Sequence, residues 1–323
     1  MKTLPLLAAM VLLFVGTGSH AQNTPQAYPN RPVRIIVPFA PGGVTDVMAR
    51  LLAQKLSEGL GKDFFVDNRP GAGGNIGIGV TAQAPPDGYT IALTSSSYVV
   101  NPALHKKIPY DPEKDLVPVT ISAVSPNAVV VNPNLPVRTI AQLIDYVRRS
   151  GNQNFASAGV GTTPHLSGEL FRLSLDLDMV HVPFNGAGPA LQSVIAGHTP
   201  IAFTAFPPAV PLVKAGSLRA LAVTSAERLK ALPDVPTMAE AGQQGQEAET
   251  MLIILAPAAT PKAIVDLLYR EIVKIVALPE TQLRLETLGF NPLVTTPDNS
   301  FMRVRQELAR WGKVIRDAKI EVQ

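Results

Sequence analysis

Twice in this chain a short apolar run stops at a glycine-rich corner and a helical pattern begins at once. The first instance is VPFAPGGVTDVMARLLAQKL, starting at Val37. Its run Val33–Phe39 ends at Ala40-Pro41-Gly42-Gly43, and Met48, Leu51, Leu52 and Leu56 then fall on one helical face. The second is NFASAGVGTTPHLSGELFRL, starting at Asn154. A strand-like start ends in Gly159-Val160-Gly161-Thr162-Thr163, and Leu166, Leu170 and Leu173 follow at helical spacing. A buried strand feeding a helix through a tight corner belongs to α/β layers built on largely parallel sheets. Two corners in matching places predict two domains, each presenting one strand–loop–helix to a shared cleft.

The rest of the chain fits that plan. Val- and Ile-rich runs recur at Phe64–Val66, Tyr89–Leu93, Val117–Ile121, Ala128–Asn132, Met179–Val182, Ile201–Phe203, Leu218–Val223 and Leu252–Leu255. Helical periodicity appears over Thr139–Arg149, Pro261–Leu278 and Asp298–Lys319. The predicted crossings between domains lie near residues 122–128 and 245–252. The first domain is then discontinuous, 28–125 plus 250–323, and the second is 126–249. Two connecting strands permit a hinge.

The first 21 residues read as an export signal. Lys2 supplies a positive charge, Leu6 to Val15 an apolar stretch, and Ser19-His20-Ala21 a small-x-small cleavage site. The stretch is shorter than the ~20 residues that span a bilayer. The chain has no cysteine, which excludes attachment of lipid to an N-terminal cysteine, disulfides and thiolate metal sites. Removing Lys2 takes the formal charge from +3 to +2. The basic residues are scattered without runs or interleaved aromatics, which argues against nucleic acid as a partner.

Each corner suits an anion. A helix N-terminus exposes unpaired N–H groups and carries partial positive charge, and glycine lets a guest approach the backbone. No lysine or arginine stands close behind the glycines, so the phosphate loop GxxxxGK[ST] is absent and a singly charged carboxylate fits better. NRPGAGGNIGIGVTAQA contains Gly77-x-Gly79-x-x-Ala82, but it does not directly follow a strand and lacks the acidic residue a ribose requires. No cofactor is expected. Its glycines Gly71, Gly73 and Gly74 read as a loop at the cleft rim. There is no GxSxG elbow, and His105, His165, His181 and His198 are not at metal-ligand spacing. His165 has two readings, as a donor to a ligand or as packing at the helix start. Asp46 suits the positive end of its helix better than it suits a bound carboxylate. TSSSY, Thr94 to Tyr98, offers hydroxyl donors at another strand end.

Six stretches together resemble a known family: YPNRPVRIIVPFAPGGVTDVMARLLAQKL, VDNRPGAGGNIG, PPDGYTIAL, ASAGVGTTPHLSGELF, HVPFNGAGPALQSVIAG and LRALAVTSAERLKALPDVPTMAEAG. They are similar, in the same order, to the Bug-type periplasmic substrate-binding proteins of tripartite tricarboxylate transporters. The resemblance implies a two-domain, type II periplasmic-binding-protein fold with a ligand cleft between the domains. It implies capture of a small organic acid without catalysis, and delivery to integral membrane transporter subunits. The chain itself is expected to be a monomer. Carried over by position, the ligand-binding residues are Phe39, Ala40, Pro41, Gly42, Gly43, Thr45 and Asp46 in the first loop. The second loop supplies Ser157, Gly159, Gly161, Thr162, Thr163 and His165. Ser95, Ser96, Asn185 and Gly186 stand at neighbouring strand ends. Thr204 occupies a position where the family frequently has an aspartate, and its neighbour Phe206 is a candidate, with Phe39, to flank a ligand tail. The missing aspartate favours an acid with a neutral tail over an amino acid. Two other readings stand beside transport: a sensor that presents its closed form to a membrane receptor, and a periplasmic hydrolase with a cleft serine.

Overall fold

The computed structural model describes residues 28–317 and 320; the expected export signal lies outside them. Its organising feature is a strand order used twice. β1 (Val33–Val37) lies between β2 (Phe64–Asn68) and β3 (Thr90–Ser95), parallel to both. β5 (Gln153–Ser157) lies in the same way between β6 (Met179–Pro183) and β7 (Ile201–Ala205). In each half the first strand is central, so the chain leaves it toward one neighbour and later returns on its other side. The helices α1 (Val44–Leu60) and α2 (Asn75–Ala82) make the crossovers in the first half. In the second half they are α5 (Thr163–Ser174) and α6 (Ala187–Ile195).

Two long antiparallel strands join the halves. β4 (Leu116–Val131) pairs with β9 (Glu249–Pro257) from Leu116 to Pro126, then with β7 from Asn127 and with β8 (Arg219–Val223) from Ala128 onward. The sequence shows β4 as two separate runs because Ser122, Ser125, Pro126 and Asn127 interrupt its apolar pattern. β9 also borders β3, and the short β10 (Asn291–Pro292) adds to the edge of β4. Ala248 still bonds to Thr224 beside β8, whereas Glu249 pairs with Pro126, so the return crossing lies there.

Both faces of each sheet are covered, which is why the strands are nearly continuous apolar runs. Side chains alternate across each strand. Val33, Ile35 and Val37 pack on α1 and on α8 (Lys262–Ala277), through Met48, Leu52, Leu268 and Ile272. Ile36 faces the other way. It joins a core with Tyr98 and Val99 of α3 (Ser97–Leu104) and Val304 and Trp311 of α10 (Pro297–Asp317). In the second half Val129 and Val131 face α4 (Ile140–Ser150) and α5, while Ala128 and Val130 face α6 and α7 (Phe206–Lys214). Thr139 caps α4 by accepting from the Gln142 N–H at 3.2 Å. Among the described residues no helix is long and apolar enough to cross a membrane.

Candidate functional site

Strand order fixes where a site can form. Where neighbouring crossovers diverge from a central strand, the carboxyl ends of the strands leave a crevice. Here two such crevices face each other. β1 leads into α1, β3 into α3, β5 into α5, β6 into α6 and β7 into α7, and residues at the start of each helix or just before it line one cleft. They include Gly43 and Thr45 at α1, Ser95 before α3, Thr162 and Pro164 at α5, Ala187 opening α6 and Ala205 before α7. Phe39 and Thr250 complete opposite walls. No charged side chain lines the cleft. Its positive character comes from helix ends alone. The gap is tight, a cavity of about 30 Å³ with room for roughly two waters.

The first corner is built to leave donors free. Gly42 takes a left-handed φ of 85°, and its N–H is bound by the Asp46 carboxylate at 3.0 Å. Asp46 also accepts from Arg50 at 2.9 and 3.0 Å and from Asn68 at 2.9 Å. Burial by itself raises its pKa, but the bonds from Arg50, Gly42 and Asn68 outweigh that and hold the carboxyl below its ordinary value. Its charge is thereby matched within the corner. The residue capping α1 is Gly43, which has no side chain to bond the first-turn N–H groups. α6 likewise starts from Gly186 without a side-chain cap.

The second corner is cross-braced. Ser157 Oγ lies 2.7 Å from His181 Nε2 and accepts from the Gly159 N–H at 3.2 Å. Thr162 Oγ1 donates to the Gly159 carbonyl at 2.7 Å and accepts from the His165 N–H at 3.4 Å. Gly161, at φ 79°, donates its N–H to His165 Nδ1 at 3.3 Å. The imidazoles of His165 and His181 lie against each other with centroids 4.2 Å apart and planes tilted by 35°. Burial is the main cause that pushes their pKa values down to about 4 and about 3. His165 therefore braces its own loop as an acceptor, and its ring is absent from the lining.

The expected site residues thus separate by role. Phe39, Gly43, Thr45, Ser95 and Thr162 line the cleft. Ala40 and Asn185 join its rims: the Ala40 N–H donates to the Asn185 carbonyl at 2.8 Å. Gly186 and Gly188 let that rim approach the backbone of Ala40 and Pro41. Ser96 Oγ accepts from the Met251 N–H at 2.8 Å. Thr163 bonds Thr250. Thr204 is buried in β7, where it pairs with Ala128, and its hydroxyl donates to the Ala205 carbonyl at 3.2 Å. Phe206 is fully buried in the core of the second half, against Gly289. The sequence reading missed Ala187, although its neighbour Gly186 marks a third glycine corner. It also missed Thr250, for which no local signal exists.

The model of the tripartite tricarboxylate transporter family receptor matches residues 48–320. The chain belongs to that family. The receptor is 37% identical over 315 residues to Protein BugT of Bordetella pertussis (strain Tohama I), covering 96% of this chain and 97% of that one. Among solved structures it is similar to R. palustris Rpa4515 with adipate, at 36% identity and TM-score 0.88, covering 91% of this chain and 99% of the other. It is also similar to MatC from Rhodopseudomonas palustris with bound malate, at 32% identity and TM-score 0.83, covering 89% and 100%. The fold of the receptor is that of the periplasmic binding proteins, and its family is one of solute-binding receptors rather than enzymes. Among the described residues no group of His, Asp and Glu is placed to hold a metal ion.

Proposed function

We propose that this receptor captures a small organic carboxylate between its two glycine corners and hands it to integral membrane subunits of a tripartite tricarboxylate-type transporter. The observation that carries the reading is a cleft lined by five helix starts and no charged side chain. Such a site stabilises one or few negative charges through N–H groups and hydroxyls, and it gives a cationic group no counter-ion. Gly43, Val44 and Thr45 supply backbone N–H groups and Thr45 a hydroxyl, whereas the hydroxyl protons of Ser95, Thr162 and Thr250 are held by Ser97, the Gly159 carbonyl and Asn127 and shape the wall. Phe39, Ala187 and Ala205 surround the body of the acid.

The working units are two domains, 28–125 plus 250–323 and 126–249, that close about β4 and the start of β9. The narrow gap between them is too small for an organic acid, so the ligand enters an opened form. Closure then removes water and strengthens each bond to the anion. Export by the N-terminal segment places the protein in the periplasm as a monomer.

A thermal-shift screen of the signal-free protein tests this. The panel holds mono-, di- and tricarboxylates, aromatic acids, amino acids, sugars and phosphates. A ligand at 100 times its Kd adds about 2.7 kcal/mol of stability. Stabilisation confined to carboxylates is expected; stabilisation only by sugars or phosphates overturns the assignment.

A further inference from the structure

Behind the second corner lies a closed ring of hydrogen bonds that reaches both crossing strands. Thr250 stands at the start of β9, with its backbone paired to Ser125 and its side chain in the cleft wall. Asn127 stands on β4 at the first position paired to β7 rather than to β9. Thr250 Oγ1 donates to Asn127 Oδ1 at 3.1 Å. Asn127 Nδ2 donates to Ser167 Oγ at 2.9 Å, and Ser167 Oγ donates to the Thr163 carbonyl at 2.9 Å. Thr163 Oγ1 bonds Thr250 Oγ1. The amide of Asn127 fixes the direction of the whole ring. Its oxygen can only accept, so Thr250 gives its proton to Asn127 and Thr163 gives its proton to Thr250. Thr250 and Ser167 then each donate once and accept once, and Thr163 closes the ring by donating from its hydroxyl and accepting at its carbonyl.

All four members are at most 4% exposed, and Asn127, Thr163 and Ser167 lie behind the cleft lining, where none can exchange a lost partner for water. Asn127 is fastened further: its N–H donates to Thr224 Oγ1 at 2.8 Å, and that hydroxyl donates to the Ala248 carbonyl at 2.6 Å. Two chain crossings and the first turn of α5 therefore share one buried polar cluster. Satisfied clusters of this kind rigidify their surroundings, and a half-satisfied one is destabilising.

We propose that Thr250 is a positioning residue for ligand binding. Through the ring it holds the Thr162–Pro164 wall in a fixed relation to the crossing strands, so the second corner and the hinge move as one body. The proposal rests on the cleft being the binding site but not on which ligand fills it. Its test is therefore run without ligand.

Amide hydrogen exchange is compared in the parent, Thr250→Val, Thr250→Ser and Ser167→Ala. Valine keeps the shape and removes the hydroxyl; serine restores the hydroxyl; Ser167 lies outside the cleft lining. The expected result is at least about tenfold faster exchange over residues 159–168 in both Thr250→Val and Ser167→Ala. Thr250→Ser stays within about twofold of the parent, and α8 is unchanged in all. Two results overturn the proposal. One is acceleration in Thr250→Val confined to 248–252, with 159–168 at the parent rate. The other is uniform acceleration that includes α8, which marks a general loss of stability. A carboxylate screen that finds nothing leaves this readout intact, so the two readings fail separately.

Discussion

At the scale of single residues the adjoining pair His165 and His181 makes a measurable demand on pH. Both imidazoles are held neutral chiefly by burial. Arg172 and His105 disfavour a proton on His165, Glu169 favours one, and His165 and Arg172 disfavour one on His181. In the unfolded chain each has its ordinary value near 6.5. Below that pH the unfolded state binds protons that the folded state does not, so stability is full above about 6.5 and falls as pH drops toward 4. At pH 5 the loss at His165 is on the order of 2 kcal/mol. Melting temperatures between pH 7 and 5 check this, alongside the double variant His165→Gln, His181→Gln, which is expected to flatten the slope. Equal slopes in both proteins rule the pair out as the cause. Sequence picks out His165 because it follows a corner. It gives no hint of His181, which comes alongside only when β5 and β6 pair.

Among the elements, α1 stands out for what it lacks. α4 opens with Thr139, which bonds its own first turn, whereas α1 opens with Gly43 and leaves those N–H groups for a guest. Gly43 has an ordinary φ of −82°, and a Cβ there would meet nothing closer than 3.8 Å. A serine therefore fits. Its hydroxyl should cap the helix, raise stability by about 0.5 kcal/mol and the melting temperature by about 1–2 °C. The same hydroxyl competes with the ligand for an N–H, so calorimetry with the tightest carboxylate of the screen should show about fivefold weaker binding. A rise in both stability and affinity would mean that these donors do not face the ligand. Elements with strong periodicity, such as α4, α8 and α10, are legible in the sequence to within two residues at the ends that are described. α7 is not, because its run FPPAVPLVK contains three prolines. Two of them lie in the first turn, where a missing N–H is tolerated. The unbroken course of β4 is hidden for the opposite reason, since its polar centre is satisfied by partners distant in sequence.

Over the whole molecule the question is how the halves meet. One contact is Gly73 against Val160, where a Cβ at residue 73 would lie 2.0 Å from the Val160 carbonyl oxygen. A backbone atom cannot turn aside as a side chain can. Gly73→Ala should therefore block closure, weaken carboxylate binding by more than about tenfold, and add about 1 kcal/mol of strain at a left-handed φ. Small-angle X-ray scattering reads it directly: the parent contracts on adding ligand and the variant does not. Contraction of equal size in both would show that this rim does not close. The repeated strand–corner–helix announces two facing units from sequence alone, but not which glycines touch. Part of that meeting is made by peptide backbone, Gly73 and Gly159 on one side of the cleft and Gly186 and Gly188 on the other. Glycine has no side-chain rotamers, so those contacts freeze none when the halves come together. At these glycine rims shutting the cleft thus carries little side-chain entropy loss, and more of the attraction between protein and anion remains as net affinity.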